Sequence, residues 1–479
     1  MDFSWISKLI RYYELIIIPY FYFANFSYLI ILILGFLNAR KLYLETKLNL
    51  IEKMVTLKSL TPISILMPAY NEEKSIIDSV YAMLRMNYPD FEVLVCNDGS
   101  TDRTIELLIS EFSLFKSDAV PPQLLPSAPI RNVYLSSVYN NLVVLDKENG
   151  GKADALNAGI NLSQNPLICC VDADSLLDSD GLMCISLPFF EDPEVTIATG
   201  GTICMINTSG IATKNISKDG IDGSVPWTWI GMIQGMEYLR AFLVGRMGWD
   251  YLGCTTIISG ALGLFKKEIV LKVGGYTKGA IGEDMELLLR MHNYCLFENR
   301  PYRVKFLPDP VCWTEAPSDL STLGKQRSRW QQGLCDSLWR NRESVFNRKG
   351  KWIGMVALPY QLLFETISAP MEVLGYVIIS IGLYTGVSGI SDVLLFFGIT
   401  VVFGGVLNLG ALIIDQLTFK RYSRPQDIIK LIIGAILEQV GYRQMHLYWR
   451  IRGIYRWLAG KHVWGEMKRR GFNKAIPQK

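Results

Sequence analysis

An α/β sheet covered by helices, joined to α-helices built for a bilayer or its surface, is the architecture this sequence predicts. Three observations lead to it. Between Thr61 and about Pro310, short β-branched runs alternate with helical patterns, as in a mostly parallel sheet. An almost uncharged run, Glu14–Leu37, precedes that region, and further apolar runs follow it. A hydrophobic content of 50% over 479 residues is high for a wholly soluble chain.

Glu14–Leu37 is long enough to cross a hydrocarbon core of about 30 Å as one helix. Arg40, Lys41 and Lys47 follow it, which places the downstream side in the cytosol. The run is too long for a cleaved signal peptide and has no small-residue cleavage pattern. Strands are predicted at Ile63–Met67, Phe91–Cys96, Leu142–Leu145, Leu167–Val171, Thr196–Ala198 and Arg303–Leu307. Helices are predicted at Lys74–Arg85, Asp102–Ser110, Lys152–Ile160 and Met285–Met291. Asn207–Pro226, rich in Ser, Gly, Asn and Lys, reads as a loop.

Beyond Leu320, Arg327, Arg329, Trp330, Trp339, Arg340 and Arg342 mix cations with indoles, as helices at a membrane surface do. Apolar runs follow at Met355–Ser368, Met371–Val387 and Val393–Phe419, the last two forming a hairpin through Ser388–Ser391. Asp427–Arg450 carries Glu438, Arg443 and Arg450 and suits the interface or the bundle lining. The basic tail (Lys461, Lys468, Arg469, Arg470) favours a cytosolic C terminus. The expected division is 1–50, a spanning helix and flank; 51–318, a cytosolic catalytic domain; 319–350, interfacial helices; 351–450, membrane helices; and 451–479, a basic tail. The chain is therefore expected in the cell membrane, crossing it more than once.

Composition also excludes some chemistry. Lys and Arg number 48 against 45 Asp and Glu, so no global field recommends nucleic acid. The nine cysteines form no CxxC pair and read as reduced, buried thiols. Three histidines, none beside a second ligand at metal spacing, disfavour a zinc site or a histidine triad.

The chemistry-bearing residues lie at strand ends. Pro68–Glu73, with Asn71 and Glu72, follows one strand, and Asn97-Asp98-Gly99-Ser100 follows the next. There Asp98 is placed to bind a ribose or a base edge; alone, the tetrapeptide is also an ordinary turn and helix cap. Asp172 and Asp174 follow the apolar run Leu167–Cys170, and alternation along a strand would bring their side chains to one face. Two such carboxylates suit Mg²⁺ or Mn²⁺ holding a diphosphate; alone, they also read as solvated turn residues. Gly150-Gly151-Lys152 opens a helix and offers backbone amides and a cation to an anion. Glu283 and Asp284 begin another helix, where acids often serve only the dipole, but Asp284 could equally be a general base. Gln326, Arg329 and Trp330 share one helix face, joining a phosphate-binding cation to an apolar sugar platform, or forming a plain interfacial anchor.

Read together and in order, Asn-Asp-Gly-Ser, Asp-Ala-Asp, Gly-Glu-Asp and Gln-x-x-Arg-Trp resemble family 2 glycosyltransferases of the processive membrane type. That group contains the cellulose, hyaluronan, chitin-oligosaccharide and poly-N-acetylglucosamine synthases. The similarity spans about Ile63 to Gly333. It implies a GT-A-type fold, a UDP-sugar donor and inverting transfer to a polysaccharide or lipid-linked acceptor, with accessory membrane or export proteins as further partners. Carried over by position, it makes Asn71, Glu72, Asp98, Lys152, Asp172, Asp174 and Arg329 donor contacts, with Asp172 and Asp174 also holding the metal. Asp284 becomes the catalytic base, and Ser259, Gly260, Glu283, Gln326 and Trp330 contact the acceptor. Two departures stand out: Asn97 replaces the usual first acid, and Ile258-Ser259-Gly260 replaces a Cys-Gly-Ser-like acceptor motif. The run Lys147–Asn157 resembles the poly-N-acetylglucosamine branch most, which favours UDP-N-acetylglucosamine. A non-processive transferase acting on a lipid, and a nucleotide-sensing transport or scaffold protein, are the competing readings.

Overall fold

A computed structural model describes residues 4–46, 60–118, 120–206, 224–422 and 424–461. Lys47, most of the loop expected at Asn207–Pro226, and the tail residues Lys468, Arg469 and Arg470 lie outside the described residues.

Apolar runs bounded by Gly, Pro and Asn build the centre. β1 (Ile63–Ala69), β2 (Phe91–Asp98), β5 (Leu142–Lys147) and β6 (Leu167–Val171) pair in parallel in the order β5-β2-β1-β6. Side chains alternate between two cores. Ile63, Ile65 and Met67 of β1, with Cys169 of β6, pack on one face of the sheet; Leu66 and Cys170 pack on the other. Helices cover both faces, which is why these strands are apolar throughout rather than alternating.

The remaining strands extend the sheet on both sides. They are β3 (Leu114–Ser117), β4 (Ile130–Ser136), β7 (Ser175–Leu177), β8 (Thr196–Ile206), β9 (Leu262–Lys266) and β10 (Arg303–Glu315). Among the described residues the full order is β3-β4-β5-β2-β1-β6-β9-β8-β10-β7. β4, β7 and β9 run against the others, so the sheet is mixed but mostly of one direction, as expected. The predicted strands fall inside β1, β2, β5, β6, β8 and β10, while β3, β4, β7 and β9 are additional.

Ser4–Thr46 is one helix of 43 residues that includes Pro19 and the expected spanning segment. Ile10–Leu42 and Ile353–Thr385 are the two described helical stretches long and apolar enough to cross a membrane. The runs expected separately at Met355–Ser368 and Met371–Val387 are thus continuous in the second stretch. It stops at Gly386, whose φ of +69° is left-handed, and the chain turns back at Ile390, where Asp392 accepts the Gly389 N–H. Asp427–Arg450 instead breaks in two at Gly441, φ +82°, between helices Pro425–Leu437 and Arg443–Leu458.

These helices dock on the sheet domain through Trp229–Tyr251, a helical run that crosses the first helix closely. A Cβ at Gly35 would stand 2.6 Å from the Val244 carbonyl. Asn38 donates to Asp250 at 3.0 Å, and Asp250 accepts the amide of Phe306 in β10 at 2.9 Å, so one buried carboxylate joins helix to sheet.

Candidate active site

Where β1 and β2 end, two loops clasp each other. The Asn71 N–H donates to Ser100 Oγ at 3.0 Å, and Asn71 Oδ1 accepts the Thr101 N–H at 2.8 Å. Glu72 is buried, accepting from Ser75 Oγ at 2.7 Å. Asp98, also buried, accepts from Lys147 Nζ at 2.6 Å and from the amides of Gly150 and Gly151 at 3.0 and 2.7 Å. The acid at the end of β2 therefore folds the Gly-Gly turn over the sheet edge and aims the start of helix Lys152–Leu162. Lys147 also pairs with Asp154 at 2.7 Å. Burial acts to raise the Asp154 pKa, but Lys147 and the Ala128 amide hold it below the ordinary carboxylate value.

β6 stops at Val171, and Asp172–Asp174 form a turn in which the Ser175 amide donates to the Asp172 carbonyl. The two aspartates are therefore turn residues rather than neighbours along a strand, which corrects the geometry expected from alternation. Lys152 Nζ sits 2.5 Å from Asp172 Oδ1 and 3.7 Å from Glu283 Oε1. Burial alone would lower the Lys152 pKa; Asp172, Glu283 and Asp284 together hold it above the ordinary lysine value. Burial raises Glu283, against the pull of Lys152. Asp284 accepts the Gly260 N–H on Oδ2 at 3.2 Å and the Met285 N–H on Oδ1 at 2.8 Å. Gly260 matters here for its missing side chain, since a Cβ would stand 2.9 Å from Lys152 Nζ. Ser259 lies beside it, its Oγ accepting from the Ala261 amide at 3.4 Å.

Gln326, Arg329 and Trp330 lie on helix Leu320–Arg340, which begins where Asp319 accepts the Thr322 N–H. Gly333 of that helix meets Gly282 backbone to backbone; a Cβ on Gly282 would stand 3.1 Å from the Gly333 carbonyl oxygen. Asp336 accepts the Ile281 amide at 3.2 Å, and Ser337 donates to the Gly282 carbonyl at 3.2 Å. The turn carrying Glu283 and Asp284 is thus fastened to the helix carrying Trp330. The Arg329 charge acts on Glu283 from the same helix.

The structure adds residues that the motifs do not single out. Trp330, 36% exposed, meets the edge of Phe242 at 5.5 Å and lies under the Arg327 guanidinium at 4.0 Å. Tyr238 packs edge-on against Phe242, and the Arg246 guanidinium lies over the Phe242 ring at 4.7 Å. Burial pushes Arg246 down to about 10, against the opposing charge of Asp284. Burial raises the Tyr238 hydroxyl pKa; the Arg327 charge opposes that rise, while the charges of Glu237 and Asp174 add to it. Tyr238, Phe242 and Arg246 recur every four residues on a helical run, a periodicity legible in the sequence that marks one face. Asp98, Lys152, Asp172, Glu283, Asp284 and the helix carrying Trp330 are in this way linked beyond the ends of β2 and β6, the end of the sheet where α/β folds bind ligands.

For a divalent cation, Asp172 and Asp174 offer hard oxygens of a suitable kind, although Lys152 is seated on one of them. Among the described residues no three His, Cys, Asp or Glu side chains gather as a ligand set, so a cation held here would need further oxygens from a bound ligand.

Residues 167–407 match the model of glycosyl transferase family group 2, and residues 64–117 match that of glycosyl transferase family 2. The chain belongs to glycosyl transferase family group 2. It is 30% identical over 316 residues to a poly-beta-1,6-N-acetyl-D-glucosamine synthase of Staphylococcus aureus (strain COL), covering 65% of this chain and 63% of that protein. The match therefore spans less than two thirds of that relative's length. The synthase of the same name from Staphylococcus epidermidis is 28% identical over 384 residues, with 78% and 77% covered. Among solved structures, a mannosyltransferase from Pyrobaculum calidifontis in complex with GDP-Man and Mn²⁺ aligns with a TM-score of 0.49 and 16% identity, covering 91% of this chain and 99% of that one.

Proposed function

We propose that this protein is a membrane-embedded, inverting glycosyltransferase that moves a sugar from a UDP-sugar, with UDP-N-acetylglucosamine favoured, to a growing β-linked polysaccharide, coupled to export. The observation that carries this reading is the cluster of Lys152, Asp172, Glu283, Asp284 and Gly260 beside the helix of Gln326, Arg329 and Trp330. The relatives named as poly-beta-1,6-N-acetyl-D-glucosamine synthases support the choice of donor.

Asp284 is the proposed base. Two backbone amides fix its carboxylate, one from Gly260, so it presents a remaining lone pair to an acceptor hydroxyl in a set direction. As Asp284 takes the proton, the hydroxyl oxygen bonds to the anomeric carbon, the bond to the phosphate oxygen breaks, and its electron pair leaves with UDP. A single in-line displacement of this kind converts α to β. Lys152 and Arg329 supply positive charge to the leaving diphosphate. Asp172 and Asp174 would hold Mg²⁺ or Mn²⁺, which supplies further neutralisation of the diphosphate when bound. Asp98 accepts from Lys147 and Gly150 on Oδ1 and from Gly151 on Oδ2, so it shapes the donor site and keeps one acceptor position on Oδ2 for the nucleotide. Trp330 gives the acceptor sugar an apolar face.

In this reading residues 51–318 lie on the cytosolic side, 319–350 at the interface and 351–450 in or on the bilayer. Bulky exposed side chains such as Phe23, Phe26, Ile33, Val377 and Ile381 on the two long helices suit contact with lipid tails. The test is incubation of the purified protein with UDP-N-acetylglucosamine in lipid, with UDP release and product mass measured. Release of UDP with a ladder of oligosaccharides is expected. No release from any of a panel of nucleotide sugars would sink the proposal, and a single sugar on a lipid would reassign the acceptor.

A further inference from the structure

Arg327 stands at one of the variable positions of the Gln-x-x-Arg-Trp stretch, yet its long charged side chain is buried, only 2% exposed. Its Nη2 pairs with Glu237 Oε2 at 2.6 Å, and Glu237 also accepts from Tyr442 at 3.2 Å. Its Nη1 donates to Gln326 Oε1 at 2.6 Å, while the guanidinium plane covers the Trp330 ring at 4.0 Å. One side chain thus fixes both acceptor-face residues. With Oε1 occupied, the Gln326 amide keeps its NH₂ for another partner. With Arg327 on one side and the Phe242 edge against it, the Trp330 indole is held at a fixed tilt.

Stability alone is a poor reason for this arrangement. A buried ion pair often stabilises no better than apolar residues of equal volume. Arg327 Nε, moreover, is buried without a hydrogen-bond partner among the described residues, a recurring cost to the fold. We infer that Arg327, held by Glu237, is a positioning residue for the acceptor: it sets Gln326 as a donor toward a sugar oxygen and Trp330 as a platform for the apolar face of the same ring. This rests on the glycosyltransferase reading and specifies its acceptor subsite as one that takes a pyranose unit with a hydrogen-bond acceptor at its rim.

The test compares wild type, Arg327→Lys, and the double variant Arg327→Met with Glu237→Gln, which leaves no lone buried charge. Calorimetry with a short β-1,6-linked N-acetylglucosamine oligosaccharide reads acceptor affinity without turnover; UDP release gives KM for donor and acceptor. In the double variant, acceptor affinity is expected to fall about tenfold, the scale of one desolvated cation–π contact, with donor KM changed less than twofold. Arg327→Lys keeps the charge but not the planar fork, so acceptor binding should remain impaired. Wild-type acceptor affinity in the double variant, or full recovery with lysine, would overturn the inference. A parallel rise in donor and acceptor KM would also overturn it, since a merely structural role predicts that. Failure of the wild type to release UDP strikes the functional reading instead, because the oligosaccharide binding comparison needs no chemistry.

Discussion

Lys152 is the residue on which the site's electrostatics turn, because it faces three carboxylates from two elements. Lys152→Met should leave Asp172, Glu283 and Asp284 to repel one another and weaken UDP binding by roughly 1–3 kcal/mol, measured by calorimetry. Asp284→Asn separates chemistry from binding: turnover should drop at least about a hundredfold while donor affinity stays within twofold of wild type. Retained turnover in that variant would remove Asp284 from its proposed role. Asp98→Ala is expected to act differently, through the fold. It strips the buried Lys147 of one partner, and a loss of about 3–5 kcal/mol in stability should accompany any loss of donor binding. His292 gives a pH signature. It is buried between Tyr302 and the Thr255 carbonyl, and burial lowers it from 6.5 to about 4. The unfolded chain therefore binds a proton that the folded chain refuses in this window. Stability should be full above about pH 6.5 and fall as pH descends toward 4, a slope that His292→Gln should flatten in thermal melts.

At the scale of elements, what the sequence makes legible follows burial. β1, β2, β5 and β6 are covered on both faces, so their apolar runs are unbroken and easily found. β3 and β7 are edge strands of four and three residues, too short for a period to emerge. The acids at the ends of β2 and β6 can be found from their positions after apolar runs, but not their partners: nothing local to Asp98 foretells Lys147, and nothing local to Trp330 foretells Phe242 or Glu237. Those contacts come from crossovers that place distant helices together. The break at Gly441 is hidden likewise, since a single glycine within apolar sequence carries little signal until its left-handed backbone is seen. The closest helix contacts rest on glycine. Gly333→Ala, whose Cβ would crowd Gly282 at 3.1 Å, should cost about 1–3 kcal/mol in stability and impair turnover, read by thermal melting beside UDP release.

At the scale of the molecule, the sheet domain is close-packed while the two long apolar helices expose large side chains. Ile381, 43% exposed on the second of them, is a direct probe of the membrane reading. Ile381→Arg, close to the helix end at Thr385, should disfavour insertion by less than the about 2.5–3.5 kcal/mol of an arginine at mid-bilayer, still reducing the membrane-bound fraction in a flotation assay. An unchanged fraction would argue against that face meeting lipid. The backbone contact between Gly282 and Gly333 has a consequence for how a chain could lengthen. Because no side chain intervenes, the proposed base Asp284 and the proposed acceptor platform Trp330 stand on elements whose backbones touch, a single ruler of fixed length in the proposed reaction. Successive additions would then be paced by the sliding of the product along that ruler, one residue at a time, and not by any stretching of the enzyme.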